Sequence, residues 1–227
     1  MQEHYSTEDR QTGLTVWFIR HGESEAHAGK AAAHSEEIRL TAVGKLQAEE
    51  IASRPFRVPN LVISSRFMRA WETAQPTLKR FPDVPHQIWD VHEFTYLGSL
   101  SGIRLTREER RPKVEEYWRR CDPFYRDGDS ESFAQFIQRA RTNIELLKRQ
   151  KGFVMVFTHE QFIRAMQWLL QGWLEATADH MAEFRRLLVQ HALYNGYVLE
   201  MPIGNGQERF RQITHVRCSP LITSSRR

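Results

Sequence analysis

Cysteine is scarce in this chain of 227 residues: there are two, Cys121 and Cys218. They form no Cys-x-x-Cys pair and no metal-ligating spacing. No disulfide framework or cysteine metal site is therefore expected, and a reducing, cytoplasmic compartment is. Long hydrophobic runs are missing as well. None approaches the roughly 18 residues that a membrane span needs, so no membrane partner is expected. Excess charge is small: 32 Lys and Arg against 28 Asp and Glu leave +4 with His neutral. That suits an anionic ligand but not nucleic acid, which calls for basic residues clustered on one face. Residues 1–13 lack the apolar centre of a secretion signal. They read as a tail, as do residues 219–227. No internal repeat is visible.

Apolar residues make up 41% of the chain, enough for a full core, and one domain is expected over 1–227. Strands are predicted at 14–21, 60–65, 86–91, 152–159, 193–201 and 209–216. The first, second and fourth are almost continuously apolar, as in strands covered on both faces. Helical spacing links Phe133, Phe136, Ile137, Ala140, Ile144 and Leu147. It links Phe162, Ile163, Met166, Leu169, Leu170 and Trp173, and then Thr177, Met181, Phe184 and Leu188. Thr41 is placed to cap a helix running to Ser53. Strands alternating with helices predict a three-layer α/β/α sandwich. Its sheet would be mostly parallel, with about six strands, one of them antiparallel. Residues 98–129 break the alternation with eight Lys and Arg among acids and aromatics. They read either as a solvated helical excursion or as a cap whose cations draw in an anionic substrate.

Chemistry-bearing residues gather at predicted strand ends. Val16-Trp17-Phe18-Ile19 runs straight into Arg20-His21-Gly22-Glu23. An imidazole and a guanidinium thus emerge together where open α/β sheets place ligands. A guanidinium matches phosphate oxygens two at a time. Ser64-Ser65-Arg66-Phe67-Met68-Arg69 follows the second strand, Glu93 the third and Thr158-His159-Glu160 the fourth. In a parallel sheet these ends share one edge. Spacing alone does not choose Glu93 over its neighbour His92.

These pieces in this order resemble the histidine phosphatase superfamily, the phosphoglycerate-mutase-like fold, over about residues 14–199. Arg20-His21-Gly22-Glu23-Ser24 is similar to its Arg-His-Gly motif. Leu40-Thr41, Gly44 and Gln47-Ala48 are similar to its Leu-Thr-x-x-Gly-x-x-Gln-Ala stretch. Ser65, Arg69-Ala70 and Thr73-Ala74 fit its second arginine motif, and Glu93 and His159 its acid and second histidine. Asp129-Ser130-Glu131-Ser132-Phe133 with Arg139 is similar to its Gly-Glu-Ser…Arg stretch.

The resemblance implies a phosphomonoesterase without metal or cofactor, acting on a small phosphorylated metabolite. His21 would be the nucleophile, and Arg20, Arg69 and His159 would hold the phosphoryl oxygens. Glu93 would be the general acid, then base. Ser24 would add a hydroxyl to the phosphate pocket or cap the following turn. A phosphomutase using the same phosphohistidine, and a non-catalytic phospholigand-binding protein, are the alternatives. The chain would be a monomer or homodimer. Three positions depart from the family pattern. His27 stands near a usual phosphate-binding asparagine, Glu160 replaces a glycine, and Arg66 replaces a proline and could compensate for Glu160.

Overall fold

The computed structural model describes residues 13–173, 175–203 and 211–214. The first apolar run becomes strand β1, Leu14–Arg20. It is the centre of the molecule, for its side chains alternate between two buried faces. Val16 and Phe18 enter one core, with Ile63, Val154, Phe136 and Phe162. Trp17 and Ile19 enter the other, with Ile51, Val62, Met155 and Phe157. Each such aliphatic or aromatic side chain contributes about 1.5–3 kcal/mol by leaving water. Burial on both faces is why this strand reads as continuously apolar rather than alternating.

Strands β2 (Leu61–Ser65), β3 (His86–Trp89) and β4 (Phe153–Thr158) join it, and the sheet order is β3-β2-β4-β1-β5-β6. The first four strands are mutually parallel. Strand β5 (Val198–Ile203) runs antiparallel to β1, and β6 (Arg211–Thr214) antiparallel to β5. The single reversed strand is thus β5. Helices α1 (Ala42–Ser53) and α2 (Met68–Arg80) supply Ile51 and Ala74 to the second core. Helices α3 (Arg107–Arg120), α4 (Phe133–Lys148), α5 (Glu160–Leu170) and α6 (Ala178–Gln190) line the first. The result is the three-layer α/β/α sandwich.

Caps fall where the sequence places them. The Thr41 hydroxyl accepts the Gly44 N–H at 3.0 Å, and Ser132 and Gln135 form a capping box on α4. Two expectations need correction. Residues 193–197 are not strand: Asn195 and Gly196 form a turn, Gly196 has φ 71°, and β5 begins only at Val198. Helix α5 ends at Leu170, so Trp173 lies beyond it, stacked on Trp168 at 5.2 Å. Of the strand expected at 209–216, Arg211–Thr214 is strand and the rest lies outside the described residues, as do Cys218, residues 1–12 and 219–227. No helix among the described residues is long and apolar enough to cross a membrane.

Within 98–129, α3 is the one α-helix. Its N-terminal approach is stitched to the loop after β1. Ala32 and Leu105 form an antiparallel bridge, the Gly102 N–H donates to the Ala33 carbonyl at 3.2 Å, and Arg110 donates to the Ala32 carbonyl. Several of its cations are matched locally, Arg111 with Glu115, and Lys113 and Arg120 with Glu116. Arg107 differs, because its charge is felt at Arg20 and His27.

Candidate active site

The strand order brings the carboxyl ends of β1, β2, β3 and β4 to one edge, and His21 is seated there by the backbone. Its N–H donates to the Thr158 carbonyl at 3.0 Å, and its carbonyl accepts the Gly196 N–H at 3.2 Å. The next residue must let α1 in close. A Cβ on Gly22 would collide with the Gly44 carbonyl, and one on Gly44 with the Glu23 carbonyl. Both positions therefore need glycine for space, not for turning. Thr73 accepts the Gly22 N–H at 3.1 Å, and Gln47 accepts the Glu23 N–H at 2.7 Å.

The His21 ring is 2% exposed. Its Nδ1 lies 2.7 Å from the Gly22 carbonyl, which can only accept, so Nδ1 carries the proton. Nε2 is left with its lone pair, and the Arg69 Nε–H donates to it at 3.1 Å. Burial, then the charges of Arg69, Arg20 and His27, hold the ring well below the usual imidazole range. His21 is neutral.

Arg69 also donates to the Ser35 carbonyl at 2.6 Å, and burial brings its guanidinium down to about 10. Arg20 donates to the Leu193 carbonyl and pairs with Glu160 at 3.1 Å. Its Nε is buried without a partner. Glu160 therefore faces Arg20, and its second oxygen accepts the Leu193 N–H at 2.7 Å. Arg66 offers no compensation for that carboxylate, since it sits exposed, 3.6 Å from Asp90.

His159 is fully buried, with its ring 5.1 Å from that of His21. Its Nε2 meets the Ser65 hydroxyl at 2.9 Å, and its Nδ1 has no partner. His27 stacks on His21 at 5.5 Å and touches Arg20 at 3.3 Å. Burial and the nearby arginines push its ring down to about 4. The Ser24 hydroxyl lies 3.1 Å from His27 Nδ1, and the Ser24 carbonyl accepts the His27 and Ala28 N–H groups. Its visible bonds belong to that turn.

Glu93 accepts the Gln161 N–H at the start of α5 at 2.9 Å. Burial pushes its carboxyl up to about 7, opposed by Arg69 and Arg20 and aided by the charge of Glu160. The loop that carries it is braced from α4. Arg139 donates to the Asp90 and His92 carbonyls, both at 2.9 Å, and grips Glu131 with two bonds of 2.6 and 3.0 Å. Glu131 in turn accepts the Thr95 N–H at 3.2 Å. His92 faces Phe67 at 5.3 Å and is pushed down to about 3, chiefly by burial.

The seven candidates therefore lie in one neighbourhood. Sequence reasoning missed Asn195, whose amide donates to the His21 and Gly22 carbonyls at 3.3 and 3.1 Å. The Asn-Gly pair at 195–196 was the available signal, as a turn dipeptide. Chemically, the arrangement offers a neutral imidazole with an unprotonated Nε2 and a carboxyl that changes charge near neutrality. It also offers two arginines and two buried nitrogens without partners. Such an array suits an incoming oxyanion.

No curated protein matches this chain in sequence. Solved structures share its fold. A putative α-ribazole-5'-P phosphatase from Escherichia coli is 23% identical with a TM-score of 0.67, covering 89% of this chain and 96% of its own. A phosphoserine phosphatase from Entamoeba histolytica, in complex with 3-phosphoglyceric acid, is 21% identical with a TM-score of 0.66, covering 90% and 98%. A mycobacterial glucosyl-3-phosphoglycerate phosphatase is 20% identical with a TM-score of 0.64, covering 89% and 98%. The family model matches residues 16–195, from within β1 to the Asn195 turn, and the chain belongs to the histidine phosphatase superfamily (branch 1).

Proposed function

We propose that this protein is a metal-independent phosphomonoesterase that hydrolyses a small phosphorylated metabolite through a phosphohistidine on His21. The observation that carries the reading is the bonding of the His21 ring: Nδ1 faces the Gly22 carbonyl at 2.7 Å and Nε2 accepts the Arg69 Nε–H at 3.1 Å, which leaves the proton on Nδ1. Nε2 attacks phosphorus, and the bond from phosphorus to the ester oxygen breaks. Glu93 gives its proton to that leaving oxygen. The Glu93 carboxylate then takes a proton from water, whose oxygen attacks the phosphohistidine and releases inorganic phosphate.

Arg20, Arg69 and His159 hold the phosphoryl oxygens, with Ser24 and His27 completing the pocket. The guanidiniums of Arg20 and Arg69 supply the positive charge that a metal would otherwise bring. A carboxyl near 7 suits both proton transfers. The test is phosphate release from a panel of phosphorylated metabolites in excess EDTA, with His21→Ala as the blank. Release that vanishes in the variant establishes the reaction. No release from folded wild-type protein, or equal release from the variant, overturns it.

A further inference from the structure

We infer that Ser65 is a positioning residue that fixes the proton of His159 on Nδ1, making this ring a neutral hydrogen-bond donor to the phosphoryl group. The inference rests on the phosphatase reading above and adds how the second histidine works.

The argument is a count of protons. Ser65 is fully buried at the end of β2. Its hydroxyl has two described partners, the Phe67 N–H at 3.2 Å and His159 Nε2 at 2.9 Å. An amide N–H can only donate, so it occupies a lone pair on Ser65 Oγ. The hydroxyl proton then needs an acceptor, and His159 Nε2 is the one within reach. Nε2 therefore accepts. A neutral imidazole carries one proton, so it sits on Nδ1. The reverse assignment strands two buried groups: a hydroxyl proton without an acceptor and an Nδ1 lone pair without a donor.

Nδ1 itself is buried without a partner, on a ring 5.1 Å from the His21 ring. The Arg20 Nε, on the residue before His21, is likewise buried without a partner. With the proton on Nδ1, each of the two groups is an N–H donor lacking an acceptor, as an anion-binding site requires. With the proton on Nε2, Nδ1 would present a lone pair to the anion and repel it. Burial and the Arg69 charge hold the ring well below the usual imidazole range, which fits a donor that works without a positive charge.

The test begins with the unmodified protein, labelled with nitrogen-15 in histidine. Long-range proton–nitrogen correlation spectra give the tautomer, and the His159 signals are assigned by their loss in His159→Gln. A protonated Nδ1 is expected, and a protonated Nε2 overturns the inference. In Ser65→Ala the proton should redistribute toward Nε2, and orthovanadate affinity should fall about 10- to 100-fold. Ser65→Thr, which keeps the hydroxyl, should restore both. If Ser65→Ala alters neither tautomer nor vanadate affinity, the role is wrong. A protonated Nδ1 and tight vanadate binding without turnover of any phosphoester would sink the phosphatase reading and leave the role of Ser65 standing.

Discussion

The Arg69 Nε–H donates to His21 Nε2 across 3.1 Å, so the arginine marks the lone pair and partly masks it. In the proposed reaction an arriving phosphoryl group would compete for the guanidinium, which would move its bonds to the phosphoryl oxygens as Nε2 is released to attack. Arg69→Gln removes that exchange and one of the charges that keep His21 neutral. The expected result is a rate about 10²–10³ lower. His21 should also titrate at higher pH, because a repelling cation is gone. The acid limb of the pH–rate profile should move upward, and steady-state kinetics across pH will show it.

Glu93 must be protonated for the first transfer, so kcat/KM should fall as pH rises through about 7. Glu93→Gln should remove that limb. It should also slow alkyl phosphates by about 10²–10⁴ while sparing aryl phosphates, whose oxygens leave without a proton. Equal losses on both classes would mean that Glu93 binds rather than donates.

The same carboxyl links stability to pH. Its folded value of about 7 lies above the ordinary 4.5. Between those values the folded protein holds a proton that the unfolded chain has released, so stability falls as pH rises through that window. Glu93→Gln has no such dependence. It should be more stable than wild type by about 1–3 kcal/mol at pH 8, with no gain at pH 4. Denaturant titrations at the two pH values measure the difference.

Glu160 pairs with Arg20 at 3.1 Å, and its charge helps to raise Glu93. In Glu160→Gln the Glu93 carboxyl should ionise at lower pH, shifting the basic limb of kcat/KM downward. Arg20 would lose its counter-charge, so inhibition by inorganic phosphate should tighten. A limb that stays in place would show that the two carboxyls do not sense each other.

Arg139 braces the loop of Glu93 through the Asp90 and His92 carbonyls and through Glu131. Glu131→Gln weakens that grip without emptying the space. Stability should fall by up to about 3 kcal/mol, and alkyl phosphates should lose more activity than aryl ones. Chemical denaturation and the leaving-group comparison read the two effects separately.

Much of this architecture was legible because its signals are local. The alternation of Val16 and Phe18 against Trp17 and Ile19 needs only β1, and the Thr41 and Ser132 caps need only three or four residues each. Gathering Arg20, His21, Arg69, Glu93 and His159 on one edge follows from parallel pairing, which apolar runs announce. Contacts made through backbone carbonyls were not legible. The sites where Leu193 and Asn195 hold Arg20 and His21 depend on a turn that a run of apolar residues disguised as strand. The Glu160–Arg20 pair was equally hidden, because a carboxylate in the sequence does not tell which way it faces. Ser65 was visible as part of a motif, but its task depends on a proton whose place follows only from three partners seen together.

Strand β1 leaves the ribosome long before its two neighbours in the sheet, β4 and β5. Its apolar residues must wait, uncovered, through most of synthesis. The arginine and histidine at its end cannot be held in place until the Asn195 turn has emerged. A chain stalled before β4 would leave that apolar segment uncovered and prone to association. The order of the strands delays assembly of this edge until β5 has been made.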